Sequence, residues 1–165
     1  MAIPVQASFE VPASIEHVWA YFSNPSQVVT CLPGAELLEV LGGNRYRGSV
    51  HIKVGPVTAH YLGSVQIEQI DPRQHVMILQ ARGEQQGAVG RAEARISFSL
   101  SSLGEQSTQV SISSEIVVAG RLAQFGSGLI QTASKQLFHK FAECVQNEVV
   151  AAGEDPVRKG GDVLL

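Results

Sequence analysis

Few residues in this 165-residue chain have both the type and the spacing for chemistry. Tyr46, Tyr61 and Ser114 fall in phase with runs of apolar residues, so a strand would turn each of them inward. A buried tyrosine can donate a hydrogen bond or a proton to a carbonyl, but more often it is an amphipathic core residue with a satisfied hydroxyl. No Asp, Glu, His, Lys or Cys shares those inward phases on the central strands. Acyl or proton-transfer chemistry therefore has neither a base nor a set of oxyanion donors, and no catalytic residue is assigned.

Histidines and cysteines give little more. A tight turn at Gly55-Pro56 would set His51 opposite His60 on an outward face. Zinc takes three or four ligands and no third is evident, so the pair reads as solvent-exposed cross-strand neighbours, with no metal. His17, His75 and His139 fall on separate elements. Cys31 and Cys144 are the only cysteines and form no C-x-x-C pattern. They read as reduced thiols in a cytoplasmic protein rather than as a disulfide scaffold.

The elements that must position these groups follow from periodicity. Ile3, Val5, Ala7, Phe9 and Val11 alternate with polar residues as in a half-buried strand. Ser14 caps a short helix through Val18, Trp19 and Phe22; Asn24-Pro25 ends it, and a second short helical stretch runs to Cys31. From Ala35 to Ala119 come six strands separated by turn signals: Gly42-Gly43-Asn44, Gly55-Pro56, Asp71-Pro72-Arg73-Gln74, the loop Gly83 to Gly87, and Leu103-Gly104-Glu105. After Gly120 the period changes to that of a helix, with an apolar stripe through Leu122, Phe125, Leu129, Ala133, Leu137, Phe141 and Val145. Residues 1–150 form one α+β domain, a curved seven-stranded antiparallel sheet around a long C-terminal helix, with two short helices after the first strand. Residues 151–165 read as a flexible tail.

Composition narrows the partners. With 44% hydrophobic and 16% charged residues the chain is an ordinary globular domain, not a disordered one. A formal net charge of −3 and dispersed Arg and Lys residues argue against nucleic acid. No run is long and apolar enough to cross a bilayer, and the N-terminus lacks the pattern of a secretory signal.

The inward faces carry many small residues, among them Gly48, Ala59, Gly63, Ala92 and Ala94. In the same hairpin register Gly48 faces Gly63 and Ile52 faces Ala59. Facing small residues leave volume that a packed core would fill, which points to a ligand cavity; glycines also allow a sheet to bend with no ligand at all. The candidate lining is Leu32, Tyr46, Gly48, Val50, Ala59, Tyr61, Gly63, Ala92, Ala94 and Ser114 from the sheet side, with Phe125, Leu129 and Ala133 from the helix.

Three segments in order carry a family resemblance: Leu32-Pro33-Gly34; the hairpin Lys53-Val54-Gly55-Pro56-Val57 followed by Tyr61 and Gly63; and Gly120-Arg121-Leu122-Ala123-Gln124-Phe125-Gly126 before the last helix. From about Ile3 to Val149 the chain resembles the carbon monoxide dehydrogenase CoxG family of the START-like (SRPBCC) superfamily. The resemblance implies the helix-grip fold of START and Bet v 1-like proteins, with an apolar cavity beneath the long helix. It implies no cofactor and no family-wide catalytic residue. It also implies an accessory role beside a molybdenum hydroxylase such as carbon monoxide dehydrogenase: membrane recruitment, maturation, or delivery of a hydrophobic small molecule or lipid such as a quinone. Some relatives end in an apolar anchor, whereas Val163-Leu164-Leu165 is too short to insert, so membrane contact is expected to be at most transient, at the inner face of the cytoplasmic membrane. A monomer or weak dimer is expected. A cyclase, isomerase or hydrolase relying on Tyr61 or Tyr46, and a docking module for a redox enzyme, are the alternatives.

Overall fold

The computed structural model describes residues 2–153. The first strand, β1 (Ile3–Val11), keeps the alternation of its sequence, and Val5 and Val11 are buried. The Ser14 hydroxyl accepts the His17 N–H at 3.3 Å and so starts α1 (Ile15–Phe22). Asn24 does the same for α2 (Pro25–Val28) through the Ser26 N–H at 3.2 Å, and a 3-10 turn, Val29–Cys31, follows. Six strands come next: β2 (Ala35–Gly42), β3 (Arg45–Val54), β4 (Val57–Asp71), β5 (Val76–Gln85), β6 (Gly90–Gly104) and β7 (Ser107–Gly120). A second 3-10 turn, Arg121–Phe125, leads into α3 (Gly126–Gly153). The expected tail from 151 onward lies outside the described residues except for its first three, which continue α3.

All seven strands join one antiparallel sheet in the order β1-β7-β6-β5-β4-β3-β2. Consecutive hairpins build it from β2 to β7, and β1 closes the far edge against β7. Register shifts interrupt the β2–β3, β4–β5 and β6–β7 ladders, and such bulges raise the local twist and curl the sheet.

The long helix settles along the β1 edge. Gln131 Nε2 donates to the Pro4 carbonyl at 2.9 Å, and Gln146 Nε2 donates to the Glu10 carbonyl at 2.7 Å, so both ends of β1 are tied to it. Its buried stripe keeps Phe141 and Val145 from the expected one but begins at Ile130 in place of Leu129. Ile130, Phe141, Val145 and Val149 are buried, whereas Leu129 is 38% exposed. Leu129, Ala133, Leu137, Phe141 and Val145 are spaced four apart, and each such step drifts about 40° around a helix of 3.6 residues per turn, so Leu129 falls outside the sector that Ile130 shares with Phe141 and Val145.

At the C-terminal end of α3 the core is dense. Phe141, Val145 and Val149 pack with Val18, Phe22, Leu100, Val110 and Ile112. Here the expectation of reduced thiols is overturned: Cys31 and Cys144 form a disulfide, with Cα atoms 5.3 Å apart. Their separation of 113 residues hid this, since only the folded topology lays the first 3-10 turn against α3. Tyr21 is buried beside the bridge, its hydroxyl 3.1 Å from Cys31 Sγ and 3.2 Å from the Gln27 carbonyl. Burial, with Glu148 adding to it, pushes the Tyr21 hydroxyl up to about 12. A link closing so long a loop restricts the unfolded chain, so a Cys31→Ser/Cys144→Ser variant should lose about 5 kcal/mol by the chain-entropy argument. Urea titration with and without reductant measures this; coincident midpoints would refute it.

Candidate ligand cleft

The register on which the cavity reading depended is present. Gly48 pairs with Gly63, Ile52 with Ala59, and His51 with His60. Of the candidate lining, Val50, Ala59, Tyr61, Ala92, Phe125 and Ala133 meet in one cluster with Val54 and Leu122. Ala94 is half-buried in the same face, between Ala81 and Ile116. Tyr46 is half-buried toward the β2 edge, between Val40 and Val65. Leu32 packs at the opposite end, against the dense core. Ser114 is buried, but its hydroxyl donates to the Val5 carbonyl at 3.3 Å, which makes it a tie between strands. Leu129 stands at the rim, where its Cδ2 is 3.6 Å from the position a Cβ on Gly55 would take.

Between sheet and helix the apolar cluster is only partly covered, and the candidate ligand cleft would lie there. Val50, Ile52, Ala92, Val118, Phe125 and Ala133 are packed against the cluster yet only half-buried. Depressions of about 480 Å³ lie outside it. One sits at the strand ends beside Gln85, Val89, Gly90 and Gly120; the other crosses the outer face over Ser8, Ser97, Ser99 and Ser111.

The glycines do not supply the volume. A Cβ on Gly63 would sit 1.8 Å from the Arg82 carbonyl oxygen, and one on Gly48 would sit 2.8 Å from that of Glu36. Neighbouring backbone already fills those places, so Gly48 and Gly63 serve close strand approach and curvature rather than an open space. Gly63→Ala should therefore cost at least about 2 kcal/mol in denaturant unfolding, as forced overpacking does. Gly128→Ala, on α3 where no atom lies within 4 Å, should stabilise the protein by about 0.5–1 kcal/mol. The reverse order would contradict the packing described.

Inner-face polarity is confined to few groups. The Tyr61 hydroxyl and Gln85 Oε1 are buried without a hydrogen-bond partner. Gln85 escaped the sequence reading because Gly83 to Gly87 was read as a loop. The strand in fact continues, and the signal was the unbroken alternation Met77, Leu79, Ala81, Gly83, Gln85. Burial raises the Tyr61 hydroxyl above its ordinary value of 10.0, since an apolar site disfavours phenolate. The proton is then held more tightly in the folded state than in the unfolded one. Stability from Tyr61 is full below pH 10 and falls as pH rises from the unfolded pKa through the folded one. Unfolding titrations above pH 10 should show a shallower alkaline loss for Tyr61→Phe than for the parent; identical slopes would exclude the effect.

On the outer face His51 and His60 stack, ring centroids 4.0 Å apart and planes 12° apart. Among the described residues no group of three or more His, Cys, Asp or Glu is placed to hold a metal ion. Nor is any described helix long and apolar enough to cross a membrane.

A curled seven-stranded antiparallel sheet with a long C-terminal helix packed on its apolar face is the START-like fold. The fold recurs in a conserved protein from Geobacillus kaustophilus, at 23% identity over 91% of this chain and 97% of that one, with a TM-score of 0.82. It recurs in the Zhui aromatase/cyclase from Streptomyces sp. R1128, at 15% identity over 98% and 99% of the two chains, with a TM-score of 0.60. Norcoclaurine synthase from Thalictrum flavum shares it at 16% identity over 92% and 96%, with a TM-score of 0.63. No curated protein matches the sequence. The family model for the CoxG subunit of carbon monoxide dehydrogenase matches residues 7–150, and the chain belongs to that family.

Proposed function

We propose that this protein holds a hydrophobic small molecule or lipid in the cleft between sheet and helix, as an accessory to a molybdenum hydroxylase such as carbon monoxide dehydrogenase. The observation that carries the reading is the inner face of β3–β7. It is apolar from Val50 to Val118, bears no charged side chain, and is left partly open by a single helix. Family membership supplies the accessory role. A lipid quinone fits the apolar wall and the redox partner together.

Container rather than catalyst is the better reading of the site. Enzymes occur on this fold, as the aromatase/cyclase and norcoclaurine synthase do. General acid–base catalysis needs a group that titrates near the working pH, and the cleft offers a tyrosine with a raised pKa and a neutral carboxamide.

Loading is proposed to occur by transient contact with the inner face of the cytoplasmic membrane. The rim end carries the apolar groups for it: Val89, 93% exposed on the β5–β6 loop, and Leu129 at the start of α3.

Protein isolated from its host should release an apolar molecule on solvent extraction and show the matching mass in native mass spectrometry. Ala133→Phe, which fills the cleft from the helix side, should fold normally and lose that mass. Consistently ligand-free protein, or Ala133→Phe with undiminished loading, would remove the proposal.

A further inference from the structure

We propose that Tyr61 and Gln85 form a polar anchor within the cleft that takes the hydroxyl of a neutral alcohol or phenol, the apolar body of the molecule lying against Val50, Ala92 and Ala133. This rests on the ligand-holding reading of the cleft and names the chemistry of the group it recognises.

The two residues are direct cross-strand partners of β4 and β5 and share the inner face. Tyr61 is 3% exposed, yet its hydroxyl has no partner, and neither does Gln85 Oε1. A buried polar atom left unpaired forfeits its hydration, so each such group in a folded protein calls for a specific reason. The surrounding sequence makes room for both. A Cβ on Gly83 would stand 3.2 Å from Tyr61 Cβ, and one on Gly90 would stand 2.5 Å from Gln85 Oε1. Glycine at these positions thus keeps space for the phenol ring and the carboxamide. The depression at the strand ends is lined by Gln85 itself, with Val89, Gly90 and Gly120 around it.

The atoms select the partner. Tyr61, kept protonated by burial, donates through its hydroxyl. Gln85 Oε1 accepts. A single hydroxyl answers both, accepting from Tyr61 and donating to Gln85. A carbonyl answers Tyr61 alone and leaves Oε1 bare, so of a lipid quinone couple the anchor favours the reduced, hydroxyl-bearing quinol. A carboxylate or an ammonium would enter with no counter-charge on the inner face, at a prohibitive desolvation cost.

The test uses 2-naphthol, naphthalene and 1,4-naphthoquinone as probes, with affinities from calorimetry on the full chain and on the variants Tyr61→Phe and Gln85→Leu. 2-Naphthol should bind about tenfold more tightly than naphthalene, the worth of a good hydrogen bond. Each variant should erase most of that advantage and leave naphthalene unchanged. Naphthalene binding with no naphthol preference, or a preference that survives both variants, overturns the anchor while leaving the container intact. Naphthoquinone binding as tightly as naphthol overturns the hydroxyl assignment. If no probe binds, container and anchor fall together. Ligand-free Tyr61→Phe should unfold at or above the parent temperature, because the hydroxyl it lacks had no partner; a drop of several degrees would place a structural hydrogen bond there and overturn the proposal.

Discussion

One helix has to cover one face of seven strands, and the arrangement of the molecule follows from that shortage. Strands spaced about 4.8 Å apart give a sheet about 29 Å from first axis to last, while a helix with its side chains is about 10–12 Å across. No straight helix can seal such a sheet. The sequence meets the shortage in two ways: it curls the sheet with bulges and close-approach glycines, and it fixes α3 along β1 rather than over the middle. Gln131 and Gln146, hydrogen-bonded to carbonyls at the two ends of β1, hold that position. They also occupy acceptors of an edge strand that would otherwise invite pairing with another chain. The open wall of β3–β6 is the geometric remainder.

The two ends of the cleft then diverge. At one end α1, the C-terminal turns of α3 and the aromatic rings of Phe9, Phe22, Phe98 and Phe141 form a dense core, with centroids of Phe22 and Phe98 5.1 Å apart. The Cys31–Cys144 bridge ties the short helices to α3 at the same place. At the other end the helix starts late, after a 3-10 turn, and Leu129, Phe125 and Val89 gather around the Gly55 hairpin and the strand ends. Packing density and covalent linkage concentrate where the cleft closes, and accessible apolar side chains concentrate where it opens.

Much of this could be read before folding because it is periodic. Alternation in β1 and the strong turn at Gly55-Pro56 determined which residues face inward and which stand opposite, down to the His51–His60 stack. What escaped was set by tertiary contact. Pairing of Cys31 with Cys144 depends on where α3 comes to rest. Leu129 lies on the exposed side because a stripe of four-residue steps drifts about 40° per step around the helix, and only its Phe141 and Val145 end meets the core. Gly48 and Gly63 looked like missing volume, since a sequence shows the side chain that is absent but not the backbone that moves into its place. Gln85 was lost to a glycine-rich stretch that resembled a loop although its alternation never stopped.

Charge segregation is consistent with the proposed container. The charged side chains of the central strands stand on the outer face, where Arg82 lies 3.6 Å from Glu93 and Arg95 pairs with Glu68. Exposed pairs of this kind add little to stability, so their placement matters chiefly for what it keeps out of the cleft. Metal binding and anion capture draw on charged or imidazole groups, which the described inner-face residues do not include. An apolar wall alone attracts hydrophobic molecules with little discrimination, because area burial is non-directional. Directional selection within the cleft has to come from hydrogen-bonding atoms that no neighbour has already used, and Tyr61 and Gln85 are where the sheet leaves them.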